Sequence, residues 1–438
     1  MSSTSQRTVR LRLENELELL PTLQGFVENS ARTFGLDETG SLSLTLAGEE
    51  VFSYLCRAVE EGCEITVDCR AGSFYTDLEF VLPLPRAALK SFNLTATVNP
   101  DDEESLEEMG LLIASRMVDR LRLEHSASGR LRLCLTREKS YPEYQPESST
   151  VQAPPPGTAS LIATPDIEEL KFLLRTLLET RTDEEKLPPD FAYPGKLADM
   201  LAGGDLDARI VKDEAGRIGG GIVWQWLSTK VVECRGPFLT ATTGLEEEQR
   251  RQLADNLFEE CVRSIAKSPA VGILNRFPGR DLSRSHFEIL GEDDGPVLFR
   301  QMHEDPGAVA WHPPELEDFL RRKYRDLLLP RELRLLHRDA PENNEFSVVA
   351  CEFERGRDRV TVTPLLAGRD LHDNLVAHLE LFRQEGLREI LFRLDLGSGD
   401  EAGFAEALLE LDFVPGLILP HGGERGDLLY LRYRGKPA

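Results

Sequence analysis

Apolar residues in this chain fall into two kinds of run, and their order outlines an architecture. Val9, Leu11 and Leu13 alternate with charged residues, the spacing of a strand with one buried face. Leu17, Leu20 and Leu23–Val27 then recur at helical spacing up to Gly35, and a second helix is expected over Ser41–Glu60. Cys63, Ile65, Val67 and Cys69 alternate, turn at Ala71–Ser73 and return through Leu78, Phe80 and Leu82 as a hairpin. After the irregular, acidic Asn93–Glu108, the stretch Glu107–Glu124 predicts a helix from Gly110, with Leu111, Ala114 and Val118 on one side. It leaves into alternating Leu121 and Leu123, and a turn at Ser126–Gly129 leads to Leu131, Leu133 and Leu135. Helices would cover one face of a mostly antiparallel sheet.

Tyr141–Ser160 interrupts the pattern with five prolines and small polar residues, which marks a semi-rigid linker. Beyond it, Leu161–Ala163 is a short strand, Asp166–Thr182 and Phe191–Leu201 are helices, and Asp213–Gly216 joins two β-rich arms. Gly219–Gly221 inside the second arm suggests close backbone approach. Val231–Leu239 extends the sheet, and Leu245–Ala266 is a long helix with Leu253, Leu257, Cys261 and Ile265 on its buried stripe. Val271–Phe277 is a strand, and Leu282–Leu290 is expected to be a helix stopped by Gly291. His303–Pro314 reads as loop and Glu315–Leu329 as a helix bounded by Pro330. A partial repeat follows: strands at Phe346–Glu354 and Arg359–Leu366, a helix at Asp370–Glu385, a strand at Glu389–Leu396, a helix at Ala402–Leu411, and strands at Val414–Leu419 and Leu428–Tyr433.

Composition narrows the function classes. At 438 residues the chain is too long for one ordinary domain, and 41% hydrophobic with 29% charged residues is globular usage. A net charge of −25 repels nucleic acid and anionic membrane surfaces. No apolar run is long enough to span a bilayer, and the first residues lack an apolar signal core. The seven cysteines, none in C-x-x-C spacing, read as reduced residues of a cytoplasmic protein. His372 and His378 do not share a helical face, so no metal pair is indicated.

The element order up to Thr136 resembles the histidine-kinase-like (GHKL) ATPase fold, in particular the anti-sigma-factor serine kinases. Met109–Gly110–Leu111 through Met117–Val118–Asp119 is similar to that family's second glycine box, with Glu108 standing where its first glycine belongs. Ala47–Ser53, AGEEVFS, lies at the helical E-x-x-x-N box: Glu49 falls on the general base and Ser53 on the Mg²⁺-binding Asn. The adenine-binding D-x-G-x-G box is replaced by Pro83–Arg86. The resemblance implies ATP and Mg²⁺ at Glu49, Ser53 and Gly110, a site degraded here. A serine hydroxyl is a poor Mg²⁺ ligand, and Glu107 and Glu108 would face a triphosphate with like charge.

Residues Ser160–Met302 are similar to the GNAT acyltransferase fold. The hairpin, the strand Val271–Asn275 and Phe287–Gly291, which looks like the family's Y-E-K-L-G-F, carry that likeness. The family holds the acyl-CoA pyrophosphate on bare backbone amides at the start of its long helix. Here that place reads Ala241–Glu246, keeping Gly244 but no basic residue, and Phe287 stands at the tyrosine that often gives a proton. The resemblance implies Gly244 and Asn275 as acyl-CoA contacts. LLELDFVP, residues 408–415, is similar to the same helix end, so Arg331–Arg434 reads as a second, incomplete GNAT-like unit.

The expectation is therefore a multidomain α+β protein: a GHKL-type module at 1–140, a linker at 141–159, a GNAT-like mixed sheet at 160–312, a connecting helix at 313–330 and a partial GNAT-like unit at 331–438. Its expected role is regulatory, with a sigma factor or STAS-domain antagonist as the partner that the resemblance implies. An acetyl-CoA-dependent acyltransferase and a serine/threonine kinase stay open, as does the oligomeric state, a dimer included.

Overall fold

The computed structural model describes residues 7–58, 62–82, 93, 110, 113–125, 131–146, 161–180, 186–240, 245–292, 295–336, 344–354 and 358–435. The first sheet contains β1 (Thr8–Glu14), β2 (Glu64–Ala71), β3 (Tyr75–Leu82), β4 (Arg120–His125) and β5 (Leu131–Glu138). Their order is β1-β2-β3-β5-β4, antiparallel throughout. Helices α1 (Leu20–Thr33), α2 (Glu38–Ala58) and α3 (113–117) lie on one face. There Leu23, Val27, Leu44, Phe52 and Leu55 bury themselves against Ile65, Val67, Phe80 and Leu133. Each such side chain contributes roughly 1.5–3 kcal/mol of transfer free energy. The opposite face carries the polar half of the alternation, tied by ion pairs such as Arg10–Asp68 and Arg70–Glu79.

The second sheet is larger. It contains β6 (Leu161–Ala163), β7 (Asp207–Lys212), β8 (Ile218–Trp226), β9 (Val231–Leu239), β10 (Gly272–Phe277), β11 (Glu288–Glu292) and β12 (Pro296–Gln301). The order is β11-β12-β10-β9-β8-β7-β6, with β9 and β10 parallel and the other pairs antiparallel. Helices α4 (Ile167–Thr180) and α5 (Pro194–Gly203) pack on one face through Leu170, Leu173 and Leu197, and α6 (Glu247–Ile265) packs on the other through Leu257 and Cys261. At Gly220 and Gly221 an added β-carbon would meet the carbonyl oxygens of Phe238 and Arg209, so the close approach expected there is present.

Two expectations fail. Leu282–Leu290 is not a helix; after turns at Ser283–Phe287 the chain forms β11. Ser283 binds Asp255 Oδ1 through its amide at 3.0 Å, and Leu290 turns inward while Ile289 stays 60% exposed, which is a strand's alternation. Ala308–His312 is a strand, β13, and not a loop. It pairs in parallel with β14 (Arg331–Leu335) across α7 (Glu317–Asp326). The strand itself is apolar, AVAWH, but too short to show a period between polar and proline-bearing flanks, and pairing with β14 decides its state.

The last sheet contains β15 (Val348–Glu354), β16 (Arg359–Leu366), β17 (Glu389–Asp395), β18 (Phe413–Leu419) and β19 (Leu428–Tyr433). Its order, β15-β16-β17-β19-β18 with β16 and β17 parallel, repeats the plan of the second sheet from β8 to β12. Helix α8 (Leu371–Gln384) and the short α9 (Gly399–Ala402) and α10 (Phe404–Glu410) belong to this unit. The three sheets share contacts. Leu417, Leu419 and Leu428 pack on Val231, Leu274 and Leu290. Tyr141 donates to Asp199 at 2.7 Å, and Val348 and Leu366 join the first sheet's core. Asn93 donates to Ser347 O at 2.7 Å and accepts from Val349 N at 3.0 Å, fastening the N-terminal part to the start of β15.

Candidate functional site

The residues expected to hold a nucleotide come together around α2, but in an arrangement hostile to phosphate. Glu49 accepts from Gln24 Nε2 at 2.8 Å, and Ser53 lies one turn on along the helix, both half-buried. Gly110 is buried against the next carboxylate: a β-carbon at 110 would overlap Glu50 Oε2. Burial, and then the neighbouring charge of Glu49, raise the Glu50 carboxyl above its ordinary range. A side chain at 110 would have to displace the end of the flexible Glu50 side chain. Ser53 stands where an amide oxygen would hold Mg²⁺, and the Glu50 carboxylate lies against Gly110 where a phosphate would approach, so the residues present fit Mg-ATP poorly. Among the described residues no three His, Cys, Asp or Glu side chains cluster as metal ligands. Pro83–Arg86 and Glu107–Glu108 lie outside the described residues.

The second sheet offers a different opening. Parallel strands that diverge leave backbone groups unpaired, and an extended ligand can add itself there. β9 and β10 pair from Val231↔Gly272 to Arg235↔Phe277, with a bulge between Asn275 and Phe277, and β9 then continues to Leu239 paired only with β8. This gap is closed from within. Asn275, fully buried, donates from Nδ2 to Gly236 O at 2.7 Å and accepts from Phe277 N at 3.1 Å. Its amide is occupied by backbone. Pro237, after a cis peptide bond, presents no N–H, and the returning chain lies so close that a β-carbon at Gly279 would overlap the Pro237 carbonyl.

The start of α6 is partly engaged by its own side chains. Glu246 is the N-cap: its side chain accepts from the amide of Gln249, and its own amide donates to Gln249 Oε1 at 3.0 Å. Two of the amides at that helix end, those of Glu246 and Gln249, are engaged by a carboxamide and a carboxylate. Gly244 lies outside the described residues. Phe287 packs against Phe258, ring centroids 4.9 Å apart, and has no proton to transfer.

One carboxylate of β9 could have served as a base. Glu233 is buried beside Arg276 Nε at 2.8 Å and Arg235 Nη2 at 3.5 Å, and Arg235 also pairs with Asp190. Burial alone would raise its carboxyl; Arg276 and then Arg235 outweigh that and hold it below the ordinary range. It is held as an anion that accepts no proton near neutrality.

A second buried charge cluster, invisible in the sequence, lies between the last two sheets. Arg331 donates to Asp427 through Nε at 2.7 Å and Nη2 at 3.1 Å, and to Asp305 through Nη1 at 2.9 Å. His421 Nε2 lies 2.8 Å from Asp305 Oδ1, and its amide donates to Asp427 Oδ1 at 2.8 Å. Arg331 is 0% exposed, Asp305 3% and Asp427 1%. Burial would raise the Asp305 carboxyl, but His421, the Gly307 amide and Arg331 together hold it below the usual range. Ser228, in the turn between β8 and β9, donates to the His421 carbonyl at 2.5 Å, so the cluster ties the second sheet, the last sheet and the segment between them.

No family model matches this chain, and no curated protein matches it in sequence. Among solved structures, part of it is similar to the GNAT family N-acetyltransferase YhbS from Escherichia coli, solved with CoA. The identity is 16% over 34% of this chain and 84% of that one, with a TM-score of 0.23. Aminoglycoside 6'-acetyltransferase type Ii is similar at 14% identity over 33% of this chain and 99% of that one, with a TM-score of 0.25. Superpositions this loose say nothing about activity. The chain is a mixed α/β protein of several sheets, and no described helix is long and apolar enough to cross a membrane.

Proposed function

We propose that this protein regulates by binding and carries out no phosphoryl or acyl transfer of its own. In this reading the N-terminal module is an ATPase-like fold retained as a docking body, and the paired GNAT-like sheets form the scaffold on which it sits. The observation that carries the reading is the capped start of α6, where Glu246 and Gln249 engage each other's amides at the one helix end an acyl-CoA would need. The closed gap beside Asn275 and the paired carboxylates Glu49 and Glu50 support it. By its resemblance, the N-terminal module would take a protein regulator of the sigma-factor or STAS-antagonist type in the cytoplasm, where the free cysteines would stay reduced.

Calorimetry of the whole chain with Mg-ATP and then acetyl-CoA tests this. The expected result is no saturable heat with either ligand at millimolar concentration. Micromolar acetyl-CoA binding that Gly244→Asp abolishes would instead establish an acyltransferase, and micromolar Mg-ATP binding lost in Glu49→Ala would establish a kinase.

A further inference from the structure

The clearest cavity among the described residues is not at either expected site. It measures about 240 Å³ and lies where β11 of the second sheet meets β17, β18 and β19 of the last. We propose that it binds a small organic monoanion, a carboxylate on a compact apolar body. The proposal does not depend on the function suggested above.

The chemistry follows from strand geometry. Tyr430, Arg432 and Arg434 are spaced by two along the end of β19, so they share one face and line the cavity in a row. Leu391 pairs across from Arg432 and Leu417 across from Tyr430, which lays apolar side chains beside the guanidinium groups. Between Pro415 and Leu417 the register slips, and Gly416 has no partner in the ladder. Such a bulge bends a strand and opens space beside it. A β-carbon at Gly416 would meet only the Tyr430 carbonyl, at 3.6 Å, so the widening comes from the backbone and a missing side chain together.

Charge selects the ligand. Arg432 is 48% exposed and already shares Glu389 with Arg359, each at 2.7 Å. Arg434 has no ion pair among the described residues and is exposed. It is the group left to receive an anion, and a guanidinium fork suits a carboxylate. Glu292 closes the other side of the cavity and opposes a second negative charge. A nucleotide or coenzyme pyrophosphate is therefore disfavoured. Size agrees: about 240 Å³ lies below the range of drug-sized sites. A carboxyl group with one ring or a short branched chain fills it. Because Glu292 belongs to one GNAT-like unit and the other lining residues to the second, an occupant would touch both.

Phenylacetate is a suitable probe, followed on the whole chain by ligand-observed NMR or calorimetry, with 2-phenylethanol and phenyl phosphate as neutral and dianionic counterparts. Saturable millimolar or tighter binding of phenylacetate is expected, with both counterparts weaker. Arg434→Gln should weaken it about tenfold, as loss of one charged hydrogen bond does, and Glu292→Gln should tighten it. Gly416→Val should remove binding by filling the space. Both 434 and 416 are exposed, so an unchanged melting temperature in each variant separates lost binding from lost fold. Failure of phenylacetate to bind at millimolar concentration, or equal binding by wild type and Arg434→Gln, would overturn the assignment.

Discussion

Replacing Arg331 with methionine would test how the second sheet and the last are held together. The substitution keeps the volume of the stem but leaves Asp305 and Asp427 buried without their shared cation. Removing one partner of a buried ion pair costs about 3–5 kcal/mol. The variant has an escape, which is to protonate both acids. From an ordinary aspartate value near 3.9 that costs about 4 kcal/mol per group at pH 7, which caps the penalty at about 8 kcal/mol. At pH 5 the same escape costs only about 1.5 kcal/mol per group, or about 3 kcal/mol for the two. The penalty should therefore be several kcal/mol at pH 8 and at most about 3 kcal/mol at pH 5. Hydrogen exchange of peptides from β14 and from the β18–β19 turn reads this locally, without requiring the chain to unfold as one unit. Adding Asp305→Asn and Asp427→Asn should recover much of the loss. A penalty under about 1 kcal/mol, or one equal at the two pH values, would refute the view that the cluster is a dry electrostatic joint.

Further predictions follow from single contacts. In the wild type, the depressed Asp305 carboxyl lends stability that is present above its unfolded value and lost as pH falls through its folded one; acid unfolding followed below about pH 4 should therefore begin in this cluster. Glu401 runs the other way. Burial pushes it up to about 7, so its contribution is present at low pH and lost as pH rises through about 7, and Glu401→Gln should be more stable than wild type at pH 8 by about 2 kcal/mol in urea titrations. Asn93→Ala removes two backbone contacts and should speed amide exchange at Ser347–Val349, with a cost of about 2 kcal/mol. Glu246→Ala should lower the stability of α6 by about 1 kcal/mol, seen as faster exchange in its first turn.

Most elements could be read from periodicity because their buried faces are local patterns. Leu253, Leu257, Cys261 and Ile265 of α6 mark a helix in any context, and the D-x-x-G turn works through its own atoms, with Asp213 Oδ1 accepting from the amides of Ala215 and Arg217. The misread segments are those whose structure comes from elsewhere. Ile289–Leu290–Gly291 is too short to show a period, and pairing with β12 decides its state. Trp311 lies in β13, beside β14, and its amide also bonds Leu396 O at 2.7 Å, far along the chain. The sites divide in the same way. A glycine motif names a residue but not its neighbour, so Gly110 looked like a phosphate contact until Glu50 was found against it. Asn275 looked available, yet Gly236 and Phe277 hold both ends of its amide. Asp305, Arg331, His421 and Asp427 carry no motif at all; only folding brings them together.

The claim that these folds are used for binding alone is tested most directly at the first turn of α6. Amide exchange across Glu246–Gln249 should be the same with and without millimolar acetyl-CoA, because Gln249 and Glu246 already engage the first and last of those amides. Protection of those amides by acetyl-CoA, accompanied by release of free CoA thiol when an amine acceptor is added, would contradict it.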